Sequence, residues 1–151
     1  MRLRLSSTSD RTFVLVPAAT ALEQLASRRP LRLRWAPLLV WGYLQYKLVG
    51  DRRVQAAGGP RGMSQGFPAR LVTDGAYAHT RNPMYLGHLV YLTGLTLLTR
   101  SPVAATYLAG ATPWFNARAA EDEQRLLERF GAPYDAYRRA VPRWIPRLPR
   151  R

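Results

Sequence analysis

The chain has 151 residues, of which 47% are hydrophobic, so it fits one domain with a real core or several short membrane spans. Its formal net charge is +14, from 23 basic and 9 acidic side chains, which indicates an anionic partner: a nucleic acid or an anionic membrane surface. The absence of cysteine excludes disulfides and thiolate metal sites.

The positive charge is spread unevenly along the chain. Between residues 84 and 117 the only formal charge is Arg100, whereas arginines crowd three other segments: 28–34, 52–61 and 138–151. Apolar blocks with basic flanks are typical of a membrane protein, and no stripe of base-stacking aromatics interleaves the arginines. We therefore expect membrane lipids as a partner and no nucleic acid.

Two apolar blocks are found in the N-terminal third. Around the first, Thr12 to Leu25, the sequence has the layout of a signal peptide, but Asp10 and Pro17 interrupt that layout, and we predict a membrane-associated helix instead. The second block, Trp35 to Val49, predicts another helix. The Gly/Pro-rich, basic residues 50–70 then predict a loop at the cytoplasmic surface.

Two further apolar blocks, Met84 to Thr99 and Pro102 to Ala117, are joined by a connection short enough to force an antiparallel helical hairpin. None of the four blocks reaches the roughly 20 apolar residues of an ideal membrane span, so flanking residues must snorkel or the bilayer must thin. We predict an all-α fold, a small polytopic membrane helical bundle with about three to four short membrane helices. A soluble helical bundle is the alternative.

The C-terminal part is amphipathic and basic. Residues Ala119 to Phe130 place Leu126 and Leu127 on one face and charged side chains on the rest, which predicts an amphipathic helix that Gly131 ends. A second short amphipathic stretch, Tyr134 to Val141, precedes the basic tail VPRWIPRLPRR.

The hairpin makes a geometric prediction. If the chain enters the membrane at Pro83 and returns near Asn116, the polar residues 81–85 lie beside the acidic residues 121–123 at one membrane face. Arg100 then lies alone at the opposite face. The excess of arginines on the first side orients both polar clusters toward the cytoplasm.

Two motifs in these clusters resemble those of a known family. The run from Gly75 to Gly87, GAYAHTRNPMYLG, resembles the G-x-Y-x-x-x-R-H-P-x-Y-x-G signature of the isoprenylcysteine carboxyl methyltransferase and phospholipid methyltransferase superfamily. The run from Asp122 to Tyr137, DEQRLLERFGAPYDAY, followed by VPR, is similar to the family's E-E-x-x-L-x-x-x-F-G-x-x-Y-x-x-Y ending. The resemblance covers residues 70–147, and we expect residues 1–151 to form a single membrane methyltransferase-like domain.

The resemblance implies an integral membrane enzyme that binds S-adenosylmethionine near the cytoplasmic face and methylates a lipophilic acceptor arriving through the bilayer. It implies catalytic roles for Arg81, Asn82 and Glu123. Two residues depart from the family pattern: Asn82 stands where histidine is commoner, and Asp122 replaces the first glutamate. An asparagine does not titrate near pH 7, so Asn82 cannot take the proton-transfer role of a histidine.

The side chains of the two motifs suit the parts of S-adenosylmethionine. Arg81 is a natural partner for the cofactor's carboxylate through its planar fork. Asp122 and Glu123 suit its ammonium group or its ribose hydroxyls. Tyr85 can present a ring face to the sulfonium or to the adenine.

Three more residues are candidates for the cofactor site. Gly87 would let a backbone approach the cofactor closely. His79 stands just before the third apolar block and His88 lies within it, where an ionisable group is costly and therefore indicates a function. Neither histidine has partners at metal-ligand spacing, so no metal is expected.

The sequence leaves the methyl acceptor open between an isoprenylcysteine-like carboxylate and a phospholipid amine, of which only the amine requires a base. Because Lys47 is the only lysine among 23 basic residues, we expect a GC-rich bacterial source and the bacterial inner membrane. A non-catalytic small membrane protein of the same fold, which binds lipid or a protein partner, is the main alternative. A soluble basic RNA-binding bundle is the third hypothesis.

Overall fold

The structure is a computed structural model that describes residues 7–58 and 68–145. Across these two ranges every regular element is a helix and there is no strand, which confirms the all-α prediction. In the same ranges, no helix combines the length and the apolar character that crossing a membrane requires.

The chain divides into two compact units, each built from two separate segments. Unit 1 comprises Met1–Leu44 and Gly87–Trp114, and unit 2 comprises Gln45–Leu86 and Phe115–Arg151.

The N-terminal helical stretch consists of α1 (Thr8–Asp10), a π-helical turn (Arg11–Leu15) and α2 (Val16–Ser27). The hydroxyl of Ser7 caps its start by accepting a hydrogen bond from the Asp10 N–H at 3.2 Å. Pro17 stands in the first turn of α2, directly after the π-helical turn. The predicted helix from residue 12 to 25 is therefore present and is longer at both ends.

The next helix, α3 (Ala36–Ala57), follows a 3₁₀ turn at Leu33–Trp35 and contradicts part of the loop prediction. The loop was expected from Gly50, but the helix continues for seven more residues. A single helical glycine costs only about 1 kcal/mol, and the residues that follow it are mostly good helix formers. Residues 59–67 of the predicted loop lie outside the described residues.

The predicted pair of helices is present as α4 (Pro83–Thr99) and α5 (Pro102–Phe130), joined through Arg100, which has a positive φ of 55°. The structure corrects one boundary. The apolar block up to Ala117 and the amphipathic helix from Ala119 are one continuous helix, because Arg118 and the flanking alanines favour helix and nothing there breaks it.

The last described helix is α6 (Ala132–Ala140), which starts where Gly131 ends α5. Gly131 has a φ of 56° and donates its N–H to the carbonyl of Leu127 at 2.8 Å, so its predicted role as a helix end is confirmed.

Within unit 1, α3 and α4 touch backbone to backbone. A Cβ added at Gly42 would lie 2.5 Å from the backbone nitrogen of Tyr91, and one added at Gly94 would lie 2.7 Å from the Cβ of Leu38. In the same unit the ring of Phe13 packs against three other rings, with centroid distances of 4.7 to 5.4 Å: those of Tyr43, His88 and Tyr91.

The contacts around Arg100 contradict the prediction that this arginine lies alone at one membrane face. Arg29 donates to the carbonyl of Arg100 at 3.0 Å, and the N–H of Arg32 donates to the carbonyl of Leu98 at 2.8 Å. The arginine-rich segment 28–34 therefore lies at the same end of unit 1 as Arg100. Arg100 is not an isolated positive charge, so its expected isolation gives no basis for an orientation.

Candidate active site

The site is built in unit 2, where the approach to α4 is tied to the chain that follows α6. A 3₁₀ turn at Gly75–Ala78 leads into this approach. The hydroxyl of Thr80 then donates to the carbonyl of Arg143 at 2.8 Å, and the N–H of Arg81 donates to the carbonyl of Pro142 at 2.9 Å. These two bonds fix the backbone just before α4 and therefore the direction of the Arg81 side chain.

Glu123 is the centre of a charged cluster. Arg81 donates to it through Nε and Nη2 in three hydrogen bonds of 3.0 to 3.2 Å, and Arg143 donates to both carboxylate oxygens at 2.9 Å. The amide of Asn82 adds a third donor at 3.2 Å. Only 8% of Glu123 is exposed, so this carboxylate is buried and its charge is balanced by two guanidinium groups. We call these four residues the Glu123 cluster.

Arg81 also reaches the end of α6. Its Nη1 donates to the carbonyls of Arg138 and Val141 at 2.6 and 2.8 Å, which are free at a helix C-terminus. Each of the three guanidinium nitrogens therefore already donates to a protein oxygen. Arg81 joins α5 to α6, and binding a cofactor carboxylate directly would require it to exchange one of these partners.

The charges in the cluster set the protonation state of Glu123. Burial raises the pKa of Glu123, but the hydrogen bonds and positive charges of Arg143 and Arg81 outweigh burial, so its pKa lies below the usual range. The same hydrogen bonds to Glu123 raise the pKa of Arg143. Glu123 is therefore an anion at neutral pH and is not a proton donor there.

Asp122, the neighbouring residue, is arranged differently. The hydroxyl of Tyr85 donates to its Oδ2 at 2.6 Å, while Arg118 and Arg125 lie at 3.8 Å from its Oδ1. Among the described residues, Oδ1 has no hydrogen-bond partner although it is buried. Burial raises the pKa of Asp122 more than these neighbours lower it. A buried carboxylate oxygen without a donor is costly and is available to a ligand.

The contact between the two polar clusters follows from the antiparallel course of α4 and α5. In unit 2 the ring of Tyr85, in the first turn of α4, packs on the ring of Phe115 in α5 with centroids 5.3 Å apart. Asp122 lies two helical turns beyond Phe115 and meets the Tyr85 hydroxyl. The predicted meeting of residues 81–85 with residues 121–123 is therefore present.

A cavity of about 100 Å³, which we call cavity A, opens beside these residues. It contains residues of both motifs and is closed on one side by tyrosine rings. Burial raises the pKa of Tyr134 and of Tyr77 to about 12, so both are neutral phenols. The residues that line cavity A are Arg53, Pro68, Leu71, Val72, Tyr77, Arg81, Asn82, Met84, Tyr85, Asp122, Glu123, Leu126, Tyr134 and Tyr137.

A second cavity of unit 2, cavity B, measures about 330 Å³ and lies between α3 and the segment that leads to α4. It shares three lining residues with cavity A: Arg53, Val72 and Tyr77. The two cavities are therefore neighbours separated by these side chains.

Three of the predicted cofactor residues do not line either cavity. His79 is exposed, just before the approach to α4. Gly87 and His88 belong to unit 1, where the ring of His88 packs on Phe13 and is 3% exposed. The other predicted residues, Arg81, Asn82, Tyr85, Asp122 and Glu123, all line cavity A.

Sequence reasoning missed several residues of the site. Arg143 binds Glu123, and its position directly after the second motif was the signal that could have found it. Tyr134 and Tyr137 are the two tyrosines of the second motif. Arg53 lies outside both motifs, so no sequence signal pointed to it.

The site fits a small polar ligand better than a metal ion. Within residues 7–58 and 68–145, no group of three or more histidine or carboxylate side chains is placed to hold a metal. Cavity A offers an unsatisfied carboxylate oxygen, phenol groups and apolar walls, which is the lining of an organic-ligand pocket. Fold and site together define an all-helical protein with a charged pocket where an apolar helix begins.

Comparisons with known proteins support the resemblance. Residues 59–131 match the family model described as phospholipid methyltransferase. The resemblance of the two motifs to the superfamily of phospholipid and isoprenylcysteine methyltransferases is confirmed. No solved structure matches the chain significantly.

Named relatives match about half of the chain. A protein-S-isoprenylcysteine O-methyltransferase of Schizosaccharomyces pombe is 38% identical over 81 residues, which are 52% of this chain and 34% of that protein. The protein of the same name in Homo sapiens is 35% identical over 78 residues, covering 50% and 27%. The nickel-cobalt-cadmium resistance protein NccN of Alcaligenes xylosoxydans xylosoxydans is 36% identical over 78 residues, covering 52% and 37%. The chain thus spans about a third of the length of these relatives.

Proposed function

We propose that the chain is an S-adenosylmethionine-dependent methyltransferase that acts on a lipophilic acceptor. The observation that carries the proposal is the buried Oδ1 of Asp122, which accepts no hydrogen bond from the described residues and belongs to a residue that lines cavity A. It lies in the segment that matches the methyltransferase family. Support for the enzyme class comes from the names of the relatives.

The residues present fit one end of the cofactor. Cavity A, at about 100 Å³, is smaller than the several hundred Å³ of a pocket that encloses a whole drug-sized ligand. Oδ1 of Asp122 would accept a hydrogen bond from an ammonium or hydroxyl group, and the neutral rings of Tyr77 and Tyr134 offer faces to a cation. Bound there, S-adenosylmethionine would supply a methyl group whose bond to sulfur breaks as an electron pair of the acceptor forms the new bond.

The Glu123 cluster would position these groups. Arg81, Asn82 and Arg143 hold Glu123, and Glu123 is next to Asp122 on α5, so the cluster fixes the helix from which Asp122 projects. Arg81, Asn82 and Glu123, which the resemblance implied to be catalytic, would then act by orienting the pocket. In this arrangement Asn82 is a donor to Glu123 and takes no proton.

The acceptor stays open between a carboxylate and an amine. A carboxylate is already ionised and requires no base, whereas an amine must lose a proton. Of the carboxylates in cavity A, only Asp122 has a raised pKa and an oxygen without a donor, so it would be the residue to receive such a proton. A screen of lipid extracts for methyl incorporation would separate the two, since a methyl ester is cleaved by mild alkali and a methylated amine is not.

We propose a location in the bacterial inner membrane. The four apolar blocks support it. Large apolar side chains of α3 are also exposed, among them Val40 (59%), Trp41 (65%) and Leu48 (56%), which is expected of residues that face lipid. Fractionation of cells tests this: release of the protein by alkaline carbonate without detergent would refute an integral membrane location.

A non-catalytic membrane protein of the same fold is the second candidate. It is favoured by the Glu123 cluster, in which both arginines already bind the carboxylate without any ligand. Such a protein would keep the cluster and bind no S-adenosylmethionine.

Binding of labelled S-adenosylmethionine to the detergent-purified chain tests the proposal. We expect Asp122→Asn to weaken binding by about tenfold or more, because an amide is a poorer acceptor for a cationic donor. The matched control is Glu121→Gln, whose carboxylate is 57% exposed and pairs with Arg118 outside the cavity, and it should bind like the unchanged protein. Absence of binding in the unchanged protein would refute the enzyme, and equal binding by both variants would refute the site.

A further inference from the structure

Cavity B is lined by two kinds of side chain. Leu48, Val49 and Val72 form an apolar wall, and Arg52 and Arg53, next to each other on α3, bring positive charge. Its volume of about 330 Å³ is in the range of pockets that hold small organic ligands. The cavity therefore has the lining that an amphipathic anion would require.

Arg53 is the deeper of the two arginines. It is 7% exposed and lines both cavities together with Tyr77. Burial raises the pKa of Tyr77 to about 12, although the nearby charge of Arg53 lowers it, so Tyr77 is a neutral phenol beside this guanidinium.

Arg52 is exposed and its guanidinium packs over Gly75. A Cβ added at Gly75 would lie 3.6 Å from Nη1 of Arg52, and Gly75 has a φ of 58°, which side chains rarely adopt. The guanidinium of Arg52 therefore lies beside Gly75, which also lines cavity B. Asp74, the acidic residue of this cavity, is itself exposed.

We propose that cavity B is the acceptor subsite, in which Arg52 and Arg53 recognise an anionic phosphate or carboxylate group of an amphipathic acceptor. The aliphatic part of the acceptor would lie against the apolar wall. S-adenosylmethionine has a net positive charge, from its sulfonium and ammonium, so two arginines make cavity B unfavourable for it. The proposal rests on the proposed function only where it calls the bound anion the methyl acceptor.

The two arginines lie outside the segment that resembles the methyltransferase family. Residues 52 and 53 precede the matched segment, which begins at residue 59. The shared wall of Arg53, Val72 and Tyr77 places an anion in cavity B next to cavity A, where the donor would bind.

Arginines at the end of a helix have another common role, which the experiment must distinguish from anion binding. Basic residues there bind the last carbonyls and interact with the helix dipole. Arg70 does this, donating through Nε to the carbonyl of Ala56 at the end of α3, and it lines neither cavity. Because Arg70 is exposed and near the same helix end, it is the matched control for Arg52.

The experiment is calorimetric titration of the detergent-purified full chain with octyl phosphate, octanoate and octyltrimethylammonium in about 0.15 M salt, which screens distant charges. A titration into protein-free micelles is subtracted. We expect Arg52→Glu to weaken the preferred anion by about tenfold or more, and Arg70→Glu by less than about twofold, because only Arg52 would bind the anion directly. The preference between octyl phosphate and octanoate identifies the anionic group.

Arg53→Gln should weaken the same anion at least as strongly, and its melting temperature is measured alongside because Arg53 is buried. Equal losses for Arg52→Glu and Arg70→Glu would mean attraction by overall charge and would overturn the proposal. So would tighter binding of octyltrimethylammonium, or displacement of the anion by adenosine. Arg52-dependent anion binding without S-adenosylmethionine binding keeps the subsite and refutes the methyltransferase. Binding of S-adenosylmethionine without Arg52-dependent anion binding refutes the subsite and keeps the methyltransferase.

Discussion

Each compact unit has a glutamate that gathers donors, and the two glutamates differ in what surrounds them. In unit 1, Glu23 accepts from Arg29 at 2.9 Å and from the hydroxyl of Ser101 at the start of α5. In unit 2, Glu123 accepts from two arginines and from Asn82. Glu123 lines a cavity, whereas Glu23 fastens a helix turn to α2.

The difference shows that a set of bonded partners does not by itself identify a functional carboxylate. Glu23 and Glu123 both form short ion pairs, with side chains 18% and 10% exposed. What separates them is the neighbour: Asp122, beside Glu123, has an oxygen left for a ligand. Unit 1 is then expected to respond to substitution through packing, and unit 2 through charge.

The largest expected difference is between Glu123→Gln and Glu23→Gln. The first leaves Arg81 and Arg143 facing each other without a counter-charge and should cost about 3–5 kcal/mol of unfolding free energy. The second breaks a pair with the more exposed Arg29 and should cost about 1 kcal/mol. Thermal unfolding followed by circular dichroism measures both, and equal losses would remove the distinction between the two glutamates.

A packing substitution should damage unit 1 without touching any charge. Gly42→Ala places a Cβ 2.5 Å from a backbone nitrogen of α4, which cannot move away as a side chain would, so we expect a loss of about 3 kcal/mol. Gly110→Ala is the control, since a Cβ there meets no described atom within 4 Å. It should stabilise α5 by about 0.5–1 kcal/mol in the same thermal unfolding measurement. If Gly42→Ala were harmless, the close contact of α3 and α4 would be wrong.

Removal of one tyrosine hydroxyl in each unit should have a smaller effect on stability. Tyr85→Phe removes the 2.6 Å bond to Asp122 and leaves both carboxylate oxygens without a donor, so we expect a loss of about 2 kcal/mol and weaker S-adenosylmethionine binding. Tyr43→Phe in unit 1 removes the hydroxyl of a side chain that is 43% exposed and should change stability by less than about 0.5 kcal/mol. Comparable effects of the two variants would contradict a special environment at Asp122.

The smallest effect is a pH dependence that belongs to unit 2. The folded pKa of Glu123 lies below its ordinary value of 4.5, so its contribution to stability is present above that value and is lost as the pH falls through the folded pKa. The folded pKa of Asp122 is raised, so acidification acts on it in the opposite direction. Denaturant unfolding between neutral and acid pH should lose less stability in Glu123→Gln than in the unchanged chain, and more in Asp122→Asn. Parallel curves for all three proteins would refute both assignments.

The helices could be predicted from the sequence because their signals are local. Pro83, Pro102 and Gly131 mark ends that the structure keeps. The mistakes lie where two local signals conflict: Gly50 was read as a loop, although the residues after it favour helix. A change from apolar to charged composition near Ala117 was read as a break, although composition can change along one continuous helix.

The site could be predicted only as far as the hairpin geometry reaches. Arg81 lies just before α4 and Tyr85 lies in its first turn, and their meeting with the pair on α5 follows from the short connection between the helices. Arg143 and Arg53 come to the site through the bend after α6 and the course of the segment before α4, and no periodicity encodes these. The isolation expected for Arg100 failed for the same reason, because the path of residues 28–34 is set by tertiary contacts.

The bonds from Thr80 and Arg81 to the carbonyls of Arg143 and Pro142 also set an order of assembly during translation. When the chain has been synthesised as far as Tyr137, Arg81, Asn82 and Glu123 are present. The guanidinium of Arg143 and the carbonyls that bind Arg81 are not yet made. Until residue 143 leaves the exit tunnel, Glu123 lacks one of its two counter-charges. Completion of the Glu123 cluster therefore follows the emergence of the segment after α6 from the tunnel.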